Sequence, residues 1–113
     1  MEYLYNFGLD STDLDIIRDN VSEDIYSDLT FFENLVVKNI QTLKEFGVTN
    51  YSQVIIKYPE IFLRDEESFN GVLAKFDKED LIQKVAKNVA VFKKMVDYVD
   101  NNWTFQWVFK RKI

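Results

Sequence analysis

A chain of 113 residues with 47% hydrophobic content and a net charge of −5 is long enough for one packed domain and too apolar to stay disordered. It contains neither Cys nor His, which removes disulfides, thiolate and imidazole metal sites, cysteine nucleophiles and every Ser–His–Asp arrangement. No run of about 18 apolar residues occurs, and the acidic N-terminus carries no basic-then-apolar leader, so a cytoplasmic protein without membrane attachment is expected.

The first seven residues alternate Tyr3, Tyr5 and Phe7. They read equally as a strand with an aromatic face or as the end of a helix closing at Gly8, where a residue without Cβ accepts positive φ. Ser11 or Thr12 is expected to cap a short helix carrying Leu14, Ile16 and Ile17. Ser22 is expected to cap a turn around Ile25 and Tyr26. Thr30-Phe31-Phe32-Glu33 fits a capping box opening a helix. The apolar stripe of that helix is Phe32, Leu35, Val36, Ile40, Leu43 and Phe46, and Gly47 ends it.

Asn50 then caps a segment with Val54, Ile55 and Tyr58 on its apolar side. Pro59 stops it near Lys57 and starts a fresh turn through Ile61, Phe62 and Leu63. Asp65 caps a helix with Phe69, Val72, Leu73 and Phe76 at spacings of three and four. Asp77 caps what reads as the longest helix, residues 78–99, with Leu81, Ile82, Val85, Val89, Phe92, Val96 and Val99 as its stripe. Lys84, Lys87 and Lys94 line its other side. Asn101-Asn102 is expected to break the pattern, after which Trp103, Phe105, Trp107 and Phe109 alternate as in a strand.

Two registers of self-similarity run through the chain. An offset of 39 lays Leu4, Phe7 and Gly8 on Leu43, Phe46 and Gly47, with Ile16-Ile17-Arg18 on Ile55-Ile56-Lys57. An offset of 30 lays Leu43, Phe46, Gln53, Ile55, Lys57 and Phe62 on Leu73, Phe76, Gln83, Val85, Lys87 and Phe92. Pro59 then corresponds to Val89, so the third unit is expected to continue as one helix. The unit Leu43-x3-Gly47, Ile55-Ile56, Pro59, Ile61 and Phe62 resembles the repeat of mitochondrial transcription termination factors, the mTERF proteins. The resemblance covers residues 43–92, with an echo over residues 4–18. It implies a superhelix of short helical repeats and a nucleic-acid-associated role. Only one unit carries the proline and the chain is short for a groove-forming array, and from the acidic N-terminus no transit peptide is expected.

Charge is unevenly spread. Residues 1–35 hold nine acidic residues against one basic, residues 36–76 hold five of each, and residues 77–113 hold eight basic against five acidic. The acidic third offers Asp13, Asp15, Asp19, Glu23 and Asp24 as a surface for a basic partner, and the aromatic tail offers Trp103 and Trp107. The basic third offers Lys84, Lys87, Lys94, Lys110, Arg111 and Lys112 as phosphate contacts. Asp13-x-Asp15 lacks the spacing and glycine of a calcium loop, and neither metal nor cofactor is expected.

The expected fold is all-α: one domain over residues 1–113, a short helical-repeat-like bundle, with a small two-stranded β element joining the termini as an added feature. The expected function is a non-enzymatic protein-interaction module, acting on a protein partner or by self-association. The alternatives are an mTERF-like nucleic-acid-associated factor and a small acidic inhibitor of a nucleic-acid enzyme.

Overall fold

The computed structural model describes the backbone of residues 1–111 and the side chains of residues 1–101. The chain is all-helical. A 3-10 turn, Glu2–Phe7, leads into α1 (Ser11–Asn20), α2 (Glu23–Phe31), α3 (Glu33–Phe46) and α4 (Tyr51–Lys57). A second 3-10 turn, Pro59–Leu63, precedes α5 (Glu66–Ala74), α6 (Lys78–Lys87) and α7 (Ala90–Arg111).

Short polar caps set most of these boundaries. Ser22, Asp65 and Asp77 each accept a hydrogen bond from the backbone N–H three residues on, which satisfies one orphan donor of the new helix. Asp10, rather than Ser11 or Thr12, caps α1, and Asp13 reciprocates on the Asp10 N–H at 3.0 Å. Thr30 opens nothing. It lies inside α2 with its hydroxyl donating to the Tyr26 carbonyl, and α3 starts after Phe32 without a side-chain cap. Asn50 precedes α4, but its amide donates to the Val85 carbonyl on α6 at 2.9 Å.

The N-terminus takes the helical of its two expected readings, the C-terminus departs from the strand expectation, and no strand occurs among the described residues. Residues 2–7 curl into the 3-10 turn that Gly8 closes at φ +87. A strand at residues 103–109 would thus have no partner, and an isolated strand is unstable; α7 instead runs unbroken through Asn101 and Asn102 to Arg111. The cost of two Asn in a helix, well under about 1 kcal/mol each, is too small to stop it. The break falls earlier, at Asn88 and Val89, opposite Tyr58 and Pro59 in the thirty-residue register. Asn88 is extended (φ −156, ψ 109), and its side chain accepts from Ala90 N–H at 3.0 Å to start α7. The long helix over residues 78–99 is therefore two.

α3 is the hub: the N-terminal turn, α2, α4, the second 3-10 turn and α5 all pack on it. Its buried stripe is Val36, Asn39, Ile40 and Leu43. Phe62, Phe69 and Phe92 stack beside it, with ring centroids 5.5 and 6.5 Å apart in sequence. They carry the apolar contact from the second 3-10 turn through α5 to α7.

The buried polar residue in this core is Asn39, fully enclosed. Its amide donates to the Phe62 carbonyl at 3.0 Å and the Arg64 carbonyl at 2.7 Å. Those two carbonyls end the 3-10 turn and have no helix to continue into, so the side chain satisfies them. Arg64 is thereby held where its guanidinium makes two bonds to Asp100 on α7, at 2.9 and 2.6 Å.

At the α3–α4 corner Gly47 has φ +117, and a Cβ there would stand 2.7 Å from Ile82 Cδ1. The chain reverses with Val48 N–H on the Leu43 carbonyl at 3.3 Å, the bond of a glycine-terminated helix end. Lys78 sits over the Phe46 ring and Lys44 over Tyr51, at 5.7 and 5.8 Å.

Two outcomes follow for urea denaturation. Asn39→Asp replaces a donor with a carboxylate facing two carbonyl oxygens, and should lower stability by about 3 kcal/mol or more, exceeding Asn39→Leu. Gly47→Ala should cost about 1–3 kcal/mol, and part of that loss should return when Ile82→Val removes the clashing methyl.

Candidate functional site

The predicted acidic surface lies on two helices and is not uniformly free. Asp13 is spent on the α1 capping box. Asp15 and Asp19 stand exposed four residues apart on α1, and Glu23 and Asp24 occupy the exposed first turn of α2, where carboxylates favour the positive helix end. Asp15 joins Glu2 and Glu33 along a cleft of about 490 Å³ between the N-terminal turn, α1 and α2. Tyr3, Tyr5, Leu14 and Tyr26 complete its walls. Arg18, the one base of residues 1–35, is already engaged there: it donates to the Tyr26 hydroxyl at 3.0 Å and lies 5.2 Å from that ring's centre.

The predicted basic residues are divided between two helices and the tail. Lys84 and Lys87 lie on α6, Lys94 on α7, and the Asn88 break separates them. Lys84 is paired with Asp80 at 3.0 Å, and the adjacent Lys93 with Asp97 at 2.9 Å. Residues 77–109 contain five basic and five acidic residues, so the excess of the C-terminal third comes wholly from Lys110, Arg111 and Lys112. The side chains of Trp103, Trp107, Lys110, Arg111 and Lys112 lie outside the described residues, although the α7 backbone extends to Arg111.

What spacing did not disclose is an exposed aromatic pair at the α2–α3 junction. Phe31 is 80% exposed and Phe32 44%, and their rings meet edge to face at 4.9 Å. Phe32 was expected in the α3 stripe. The junction turns it outward because α3 begins only at Glu33 and Phe32 itself takes φ −97, ψ 42 between the helices. A signal for Phe31 did exist: it belongs to no apolar periodicity on either side. Two adjacent large aromatics held in water forgo several kcal/mol of burial.

Tyr3 anchors the N-terminal turn beneath this junction. Its hydroxyl donates to the Leu29 carbonyl at 2.6 Å. Burial pushes its pKa well above the usual phenol value, and the neighbouring Glu33 charge adds to the rise.

Among the described residues, no group of three or more Asp or Glu side chains could hold a metal ion, and no helix is long and apolar enough to cross a membrane. A second cleft of about 500 Å³ lies between α5 and α7, lined by Arg64, Asp65, Glu67, Ser68, Lys75 and Asp100 among others. Arg64 is paired there with Asp100, and Asp65 is engaged as the cap of α5. No protein-family model, no curated protein and no solved structure matches the chain.

The Tyr3 phenol gives a signed pH dependence. Below about pH 10 both folded and unfolded chains keep its proton. Above that, the unfolded chain releases it first, so the stability the neutral phenol contributes is lost as pH rises. Tyr3→Phe should cost about 1 kcal/mol at neutral pH for the lost bond to Leu29 and flatten the alkaline fall in denaturation free energy.

Proposed function

We propose that this chain is a non-enzymatic interaction module that works by protein contact, with Phe31 and Phe32 as its anchor. The supporting observation is the exposure of that edge-to-face pair, in which Phe31 is the most exposed large hydrophobic among the described residues. Aromatic anchors at the centre of an interface supply a large share of its affinity. Asp28 and Glu33 flank the pair in sequence, so the preferred partner presents an apolar pocket with basic neighbours. The helix–break–helix spacing, α3–α4–Pro59 and α5–α6–Asn88, reads as two copies of one unit beside this surface.

The chain's scarcity of catalytic side chains agrees with the reading, since no His or Cys is present.

Replacing both rings (Phe31→Ser with Phe32→Ser) should lower the denaturation midpoint only modestly, because Phe31 is 80% and Phe32 44% exposed. The same variant should weaken capture of the chain's partner by roughly 30-fold or more, equivalent to about 2 kcal/mol. Affinity capture with wild type and variant, run with and without nuclease, measures this. Nucleic acid recovered equally by both proteins would overturn the proposal and favour an mTERF-like role. Ring-dependent recovery of one basic nucleic-acid enzyme would narrow it to an inhibitor.

A further inference from the structure

We infer that the acidic, phenylalanine-bearing end of one copy receives the C-terminal aromatic and basic segment, residues 103–112, of a second copy in a head-to-tail contact. This rests on reading Phe31 and Phe32 as a docking surface, and it names the occupant.

The surroundings of the pair set what can cover it. Asp24 and Asp28 precede Phe31 by seven and three residues on α2, which places all three on one side of that helix. Glu33 follows directly and is exposed. The single base of residues 1–35 is withdrawn from this surface, because Arg18 is bound to the Tyr26 hydroxyl and ring. Two such ends cannot face each other: nine acids against one base on both sides would repel. The complement must be cationic and aromatic together.

The chain carries one such complement. Beyond Asp100 there is no acidic residue, and residues 103–112 contain Trp103, Phe105, Trp107 and Phe109 followed by Lys110, Arg111 and Lys112. The net positive charge of the C-terminal third resides wholly there, since residues 77–109 balance at five and five. α7 packs on α5 and α6, its last described buried residue is Val99, and it continues as helix for twelve more residues to Arg111, about 18 Å at 1.5 Å per residue. A second copy supplies the segment, and because the joined surfaces differ, each pair retains one free end of either kind.

Light scattering on the full chain at several concentrations, in low and high salt, provides the test. The expected result is a mass rising above 13.5 kDa with concentration at low salt, and a dissociation constant roughly tenfold weaker when salt shortens the screening length to a few Å. Two full-length variants then separate the halves: F31S/F32S removes the aromatic head, and K110E/R111E/K112E reverses the tail. Each alone should remain monomeric with an unchanged helical circular dichroism spectrum. An equimolar mixture should form a one-to-one dimer that grows no further, because each variant keeps the half the other lacks. Trp107→Ser replaces the tail variant if charge reversal perturbs the helix. A wild-type chain that stays monomeric at every concentration, or variants that fail to complement, would overturn the inference. If the wild type is monomeric while F31S/F32S still abolishes capture of another protein, the docking surface stands and its occupant is a different basic protein.

Discussion

One side-chain amide organises this fold. Asn39 sits at full burial in the apolar stripe of α3, and its two N–H groups meet the carbonyls of Phe62 and Arg64. A buried amide is tolerated only when bonded, and a buried carbonyl likewise. Each partner therefore makes the other possible. The second 3-10 turn can end in the core only because α3 supplies donors at that point, and α3 can carry Asn39 only because the turn ends there. The Asn39 Oδ1 atom has no hydrogen-bond partner in the structure, so the residue is held by its donors alone. From this pair the next link follows: Arg64, fixed at its carbonyl, extends its side chain to Asp100 and ties α7 to the turn.

Much of this arrangement was legible before the structure, and the failures have identifiable causes. Ser22, Gly47, Pro59, Asp65 and Asp77 mark real boundaries because cap and turn chemistry is local, and a local signal needs no knowledge of partners. Asn88 is a signal of the same kind that the apolar stripe of residues 78–99 obscured, since Val89 and Phe92 continue the phase across the break. Thr30 failed because two overlapping helix patterns meet there, and its hydroxyl served the preceding turn of α2. The strand reading of the tail failed because alternation specifies a strand only where another edge can pair with it. Asn39 could have been read too: with Val36, Ile40 and Leu43 it keeps helical spacing, and a polar residue in a buried phase implies a bonded partner.

The candidate surface was less legible than the fold. Charge counts along the chain mark the acidic third, but only the structure separates Asp13, which is spent on capping, from Asp15 and Asp19, which are exposed. On the basic side the structure divides the lysines between two helices and pairs Lys84 internally. What remains is an aromatic pair in an acidic setting, of which Phe31 belongs to no periodicity and Phe32 is turned out of the α3 stripe. Exposure of that kind depends on how two helices meet, which is a tertiary property and has no local spelling.

The Asn39 bonds also bear on how the chain opens and closes. Donor and acceptors are 23 and 25 residues apart, and everything between them is α3's second half, the Gly47 corner, α4 and the Pro59 turn. Neither bond can form until all of those are in place, and neither can be lost without freeing two buried carbonyls at once. Residues 39–64 should accordingly behave as one cooperative opening unit, with the amides of the 3-10 turn and of α3 exchanging with solvent at a shared free energy. Separate exchange energies for the two would show that the clamp couples them only weakly. A turn of five residues, too short to hold itself, thus acquires the protection of the longest helix it touches.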